Sequence, residues 1–184
     1  MVNHLILGLQ LLVAPSRAWR AINDETYSPL ALAVYTGIFA TLVFLFRTIG
    51  ALLSGIGAPW FALEALLFTL ICVGGALSIG LLLMPFGRLA RHRINDGHAM
   101  KLALYSATPL WAFSVFQIIP SHMVRAFFLL GSLGYACFLL FLGLPRLFGT
   151  EPTHTLVISL IVSGVWILGL VLFTQLFLPV AFNL

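Results

Sequence analysis

The sequence predicts an all-α integral membrane protein, with five transmembrane helices in one bundle preceded by an N-terminal amphipathic interfacial helix. Three observations lead there. The 184 residues are 61% hydrophobic and only 8% charged, with a mean hydropathy of +1.12, too little polar surface to wet a soluble domain. Five apolar blocks, about 29–53, 61–86, 102–119, 126–144 and 156–177, can each cross a bilayer as a helix, the third and fourth near the short limit. The blocks lack the two-residue alternation of a membrane barrel, and helices satisfy their own backbone groups in lipid. No second domain is visible, so residues 1–28 form an interfacial segment and 29–184 a single five-span domain.

Taken in order, residues 5–14 resemble a signal-peptide core but lack a preceding basic residue, and Pro15 follows the one small-residue boundary, so no cleavage is expected. Ten residues reach about 15 Å, half of a hydrocarbon core, and are expected to lie in or dip into the interface. Next, Pro15, Ala18, Trp19 and Ile22 recur at helical spacing, while Ser16, Arg17, Arg20, Asn23 and Asp24 fill the opposite face. Two readings stand: a helix on the membrane with Trp19 at headgroup depth, or one packed on its own bundle.

Between the second and third blocks, residues 87–101 form the one extended charged break, carrying Arg88, Arg91, Arg93 and Lys101 against Asp96. Asn95, Asp96 and Gly97 read as a chain-reversing turn. Counting Lys and Arg on the two sides of five spans gives seven, from Arg17 to Arg146, against Arg47 and Arg125. Positive-inside bias then places the N-terminus in the cytoplasm and the C-terminus outside.

Few residues point to chemistry. Glu64 lies about one turn inside the second span, and Arg47 about 27 Å along the first, so the two approach the same edge and are expected to pair. Tyr105, Ser106, Thr108 and Pro109 make a polar kink in the third span, where Pro109 removes the helical partner of the Tyr105 carbonyl. With Tyr35 and Tyr135, that kink could line a niche for a lipid or small amphiphile. Small residues four apart, such as Gly74 and Ser78, allow close helix approach and self-association. Cys72 and Cys137 read as buried small hydrophobes, and His92, Asp96 and His98 lack metal-site geometry, so no metal or cofactor is expected. No G-x-S-x-G, H-E-x-x-H or P-loop sequence occurs, and the basic residues are too dispersed to track nucleic acid.

Pro15, Trp19, Ile22 and Glu25, then Gly97, Tyr105-Ser106-x-x-Pro109, Gly134-Tyr135 and Leu142-Gly143-Leu144-Pro145 follow one another along most of the chain. In these motifs the chain resembles the Yip family of Ypt/Rab-interacting five-pass membrane proteins, especially its bacterial branch. The resemblance implies a five-span fold and a bacterial inner-membrane location, and with no enzyme motif in the chain no enzymatic activity is expected. It points to Tyr105, Ser106, Pro109, Tyr135, Gly143 and Pro145 as motif residues. Eukaryotic relatives bind small GTPases through a longer N-terminal region, whereas here 28 residues precede the first span. The expected role is a scaffold or partner-binding subunit that meets membrane lipids, and another membrane or cytoplasmic protein or a second copy, through Trp19, Arg20, Arg88, Arg91, Arg93 and Lys101.

Overall fold

The structure, a computed structural model, describes residues 2–55, 60–89 and 96–182, and every regular element among them is helical. Helix α1 spans Val2–Val13 and α2 Pro15–Asp24, with Pro15 at the first helical position where its missing N–H is harmless. Helix α3, Pro29–Leu53, starts on Ser28, whose hydroxyl accepts from the Ala31 amide at 3.3 Å. It stops at Gly55, which takes a φ of 76°. Helix α4 runs Trp60–Leu89. Helix α7, His122–Phe148, ends on left-handed Gly149, whose amide donates to the Pro145 carbonyl at 3.0 Å. Helix α8 covers Pro152–Phe182.

Among the described residues, three helices are long and apolar enough to cross a membrane, at Pro29–Leu53, Phe61–Pro85 and Met123–Phe148, with shorter apolar stretches at Asn3–Val13 and Thr153–Leu168. Their outward faces carry exposed Leu45, Leu66, Leu70, Phe127, Leu130 and Leu160, a belt that lipid solvates and water does not.

The third apolar block is not one continuous helix. It is divided into α5 (Asp96–Ser106), a short α6 (Thr108–Ala112) and a 3-10 helix (Phe113–Ile118). Asp96 and Gly97 open α5 rather than making a turn, and Asn95 lies outside the described residues. A Cβ on Gly97 would sit 2.6 Å from the Tyr27 ring, so this glycine admits the chain that leads from α2 into α3.

The bundle core is aromatic at its centre. Tyr35 and Phe39 of α3 pack around Trp111 of α6, with ring centroids 5.0–5.9 Å apart. At the opposite end, α3 touches the 3-10 helix so closely that a Cβ on Gly50 would lie 1.8 Å from the Gln117 carbonyl oxygen.

Candidate functional site

The helix pair α1–α2 is a lid docked across one end of the bundle. Its apolar stripe, Ala18, Trp19 and Ile22, is wholly buried, and so is Leu11 of α1. Of the two readings of α2, the structure shows the one that packs it on its own bundle. The physical reason is Gly143. A Cβ there would stand 2.8 Å from the Trp19 ring and 2.4 Å from Leu102, so only glycine leaves the slot the indole fills. Gly8 serves α1 similarly, its face lying against the Tyr35 hydroxyl, 2.5 Å from where a Cβ would be.

Polar contacts hold the lid from below, and most use backbone carbonyls near helix C-termini, which have no partner within their own helix. Tyr135 of α7 donates to the carbonyls of Leu11 and Leu12 at 3.1 and 3.2 Å. Lys101 of α5 donates to the Ile22 carbonyl at 3.0 Å and to that of Glu25. Arg146 donates to the Ser16 carbonyl. The contacts of Lys101 and Tyr135 are charge-assisted or paired and lie in a largely dry setting, where a lost donor costs more than it would at an exposed contact such as that of Arg146.

Inside this clasp lies a connected polar cluster. His4 Nδ1 shares a hydrogen bond with the Tyr105 hydroxyl at 2.6 Å and stands 3.3 Å from Glu25 Oε2. Thr108 donates to the Tyr105 carbonyl at 2.6 Å, repairing the bond that Pro109 removes. Since that uses its proton, the Tyr35 hydroxyl donates to Thr108 Oγ1, also at 2.6 Å. Ser106 returns its hydroxyl to Ala103 at 3.0 Å. The motif Tyr105-Ser106-x-x-Pro109 thus builds a self-satisfied bend. Tyr35, Tyr105, Thr108 and Pro109 are buried and closely packed, with Trp19 edge-on to Tyr105 and Trp111 against Tyr35.

Trp19 and Lys101, which the sequence offers as partner contacts, are both buried, Lys101 with 2% of its surface exposed. The lysine is drawn inward because α2 ends on carbonyls that need a donor. Arg20 is exposed with Arg17 on the outer face of α2. Arg88 belongs to the last turn of α4, and Arg91 and Arg93 lie outside the described residues. At the far end of the bundle, Arg47 pairs with Glu64 and also donates to Gln117 Oε1 at 2.9 Å. Pro145 shapes the end of α7 through its carbonyl, which accepts from the Gly149 amide. One member of the cluster, His4, does not stand out in the sequence, being a lone histidine in an apolar run, and Glu25 stands out there only as a position of the family resemblance.

Burial pulls the Lys101 ammonium below its ordinary range, although Glu25 opposes this. The unfolded chain therefore binds more protons than the folded one once pH passes the folded value. Stability then rises with pH up to the ordinary lysine value of about 10.4. We expect the thermal midpoint of the detergent-purified protein to climb as pH rises toward that value. Lys101→Met should remove this part of the slope, and an identical slope in the variant would refute the assignment.

The family model described as the Yip1 domain matches residues 9–174 of this sequence. No curated protein and no solved structure matches the chain.

Proposed function

We propose, from the premise that this chain belongs to the Yip1 domain family, that it is a non-enzymatic scaffold which presents its docked lid to a protein partner. It is a membrane protein, and we assign it to the bacterial inner membrane with five crossings, the lid on the cytoplasmic side and the C-terminus outside. The observation that carries the reading is the division of α2 into two faces. Ala18, Trp19 and Ile22 are spent on internal packing, which leaves Ser16, Arg17, Arg20, Asn23 and Asp24 facing outward. A helix fixed from below and polar above suits recognition better than membrane insertion, for which it has no free apolar stripe.

The outer face of α2 carries Arg17 and Arg20, and the sequence of residues 87–101 carries Arg88, Arg91 and Arg93. The partner it fits is an acidic protein surface, with anionic lipid as the competing attraction. Reversing Arg17 and Arg20 to glutamate, and in a separate variant Arg88, Arg91 and Arg93, keeps the basic excess on the lid side and should leave membrane insertion and orientation intact. Copurification of a specific partner from gently solubilised membranes should fall, along with its salt dependence. The same partners in the same yield from both variants would sink the proposal.

A second reading, lipid handling, draws on a different place from the tyrosine bend. An apolar groove of about 420 Å³ opens between α4 and α8, lined by Leu67, Leu70, Ile71, Gly74, Gly75 and Trp166 among others. Its walls suit an acyl chain.

A further inference from the structure

The apolar stripe of α2 is spent on the bundle, but α1 keeps one that is not. It turns Leu11 inward, wholly buried, and Ile6, Leu9 and Val13 outward, at 46%, 53% and 88% exposure. These three recur at i, i+3 and i+7, one face of a helix. Two contacts along α7 fix how deep α1 lies. Arg146, in the last turn of α7, donates to the Ser16 carbonyl, whereas Tyr135, eleven residues earlier, donates to the Leu11 and Leu12 carbonyls at the end of α1. At 1.5 Å per residue these two holds are about 16 Å apart along α7. Tyr135 thus stands near the middle of Met123–Phe148, a stretch long and apolar enough to cross a membrane. Gly8 likewise lies against Tyr35, about 9 Å into α3. The end of α1 is therefore at hydrocarbon depth, where no water can reach its last carbonyls and Tyr135 satisfies them instead.

The outward face of α1 and the start of α2 border a groove of about 360 Å³, lined by Ile6, Leu9, Gln10, Val13, Ala14 and Arg17. Its wall is apolar except for Gln10 and Arg17, and neither of these side chains makes a hydrogen bond or ion pair among the described residues. No acid lines it, since Asp24 and Glu25 stand at the far end of α2. A surface of this composition at leaflet depth matches a phospholipid part by part. The aliphatic wall suits an acyl chain, and the Gln10 amide can donate to an ester carbonyl. The Arg17 stem can run along apolar surface while its guanidinium pairs with phosphate through two parallel N–H donors. A single cation with no acid beside it favours a headgroup of net negative charge over a zwitterionic one, which carries its own ammonium.

We infer that α1, rather than α2, is the lipid-facing helix of the lid, and that the groove at its elbow with α2 binds one anionic phospholipid of the surrounding membrane. The acyl chain lies along Ile6, Leu9 and Val13, the ester region meets Gln10, and the phosphate meets Arg17. This assignment is independent of the scaffold reading, with which it shares Arg17; Arg20 does not line the groove.

The test uses the full chain in nanodiscs of phosphatidylcholine and phosphatidylglycerol in equal parts with matched acyl chains, with retained lipid read by native mass spectrometry. Wild type should retain phosphatidylglycerol over phosphatidylcholine. Arg17→Gln should cut that preference about tenfold, the effect of one lost charge-assisted hydrogen bond. Arg20→Gln should leave it unchanged, which separates the groove from general charge attraction. Both side chains are exposed, so neither change threatens the fold. Depth is read separately, in a chain whose Cys72 and Cys137 are replaced by alanine. A fluorophore on Val13→Cys should be quenched by lipids brominated in the acyl chain and not by aqueous iodide. No preference for phosphatidylglycerol in wild type, a preference in Arg17→Gln no weaker than in Arg20→Gln, or quenching by iodide alone overturns the assignment. So does a dimer in the native spectrum that Val13→Asp separates, since a second copy of the chain would then cover this face.

Discussion

Replacing Trp19 by alanine is expected to release the lid. The indole is wholly buried, lies edge-on to Tyr105 with ring centroids 6.5 Å apart, and fills the slot over Gly143. Truncating a buried tryptophan typically costs about 3–5 kcal/mol, in transfer free energy and in the cavity left behind. Here the lid is a short helix pair whose polar clasps depend on the same seating, so much of that loss should appear as local opening. A reporter follows from Ala18, which is also wholly buried. In a chain whose Cys72 and Cys137 are replaced by alanine, Ala18→Cys should resist maleimide in membranes. Adding Trp19→Ala should raise its labelling rate by at least about a hundredfold, if about 3 kcal/mol of the loss goes into opening. Equal rates would mean that the lid is held without the indole.

The second large effect lies at the other end. Gly50→Ala places a methyl carbon 1.8 Å from the Gln117 carbonyl oxygen, and the obstacle is backbone that cannot rotate away. Overpacking typically costs about 1–3 kcal/mol, and a collision with main chain belongs at the upper end. Gly37 provides the internal control: it sits in the same helix α3, and a Cβ there meets nothing within 4 Å. Gly37→Ala should be neutral or stabilising by up to about 1 kcal/mol, from helix propensity alone. Thermal melting of the two variants in one detergent decides the matter. Equal midpoints would show that α3 and the 3-10 helix do not approach this closely.

The ion pair and the proline bend are legible in the sequence, for local reasons. Arg47 and Glu64 flank a short connection between two apolar helices, so chain direction alone brings them to one edge. Pro109 removes one backbone donor, and Thr108, its neighbour, supplies the hydroxyl that replaces it at the Tyr105 carbonyl. Gly143 and Tyr135 can be singled out as motif positions without their tasks being visible. One is empty space for Trp19 and the other a donor to Leu11 and Leu12, more than a hundred residues away along the chain. Neither task leaves a mark in local periodicity.

The amino-acid sequence by itself determined the solvent and the helical character of this protein. Both follow from summed composition and from the rule that backbone in lipid must satisfy itself. It also determined that α2 has two faces, but not which environment its apolar face would meet, because a bilayer and a bundle are equally apolar to Trp19 and Ile22. Tertiary structure decided that, through shape and unpaired carbonyls: the slot at Gly143 and the donors Lys101, Tyr135 and Arg146 exist only once α5 and α7 lie beside the N-terminal helices. The same assembly turned Lys101 from a surface charge into an internal clasp. At the opposite end it gathered Arg47, Glu64 and Arg125, three charges drawn from three separate helices.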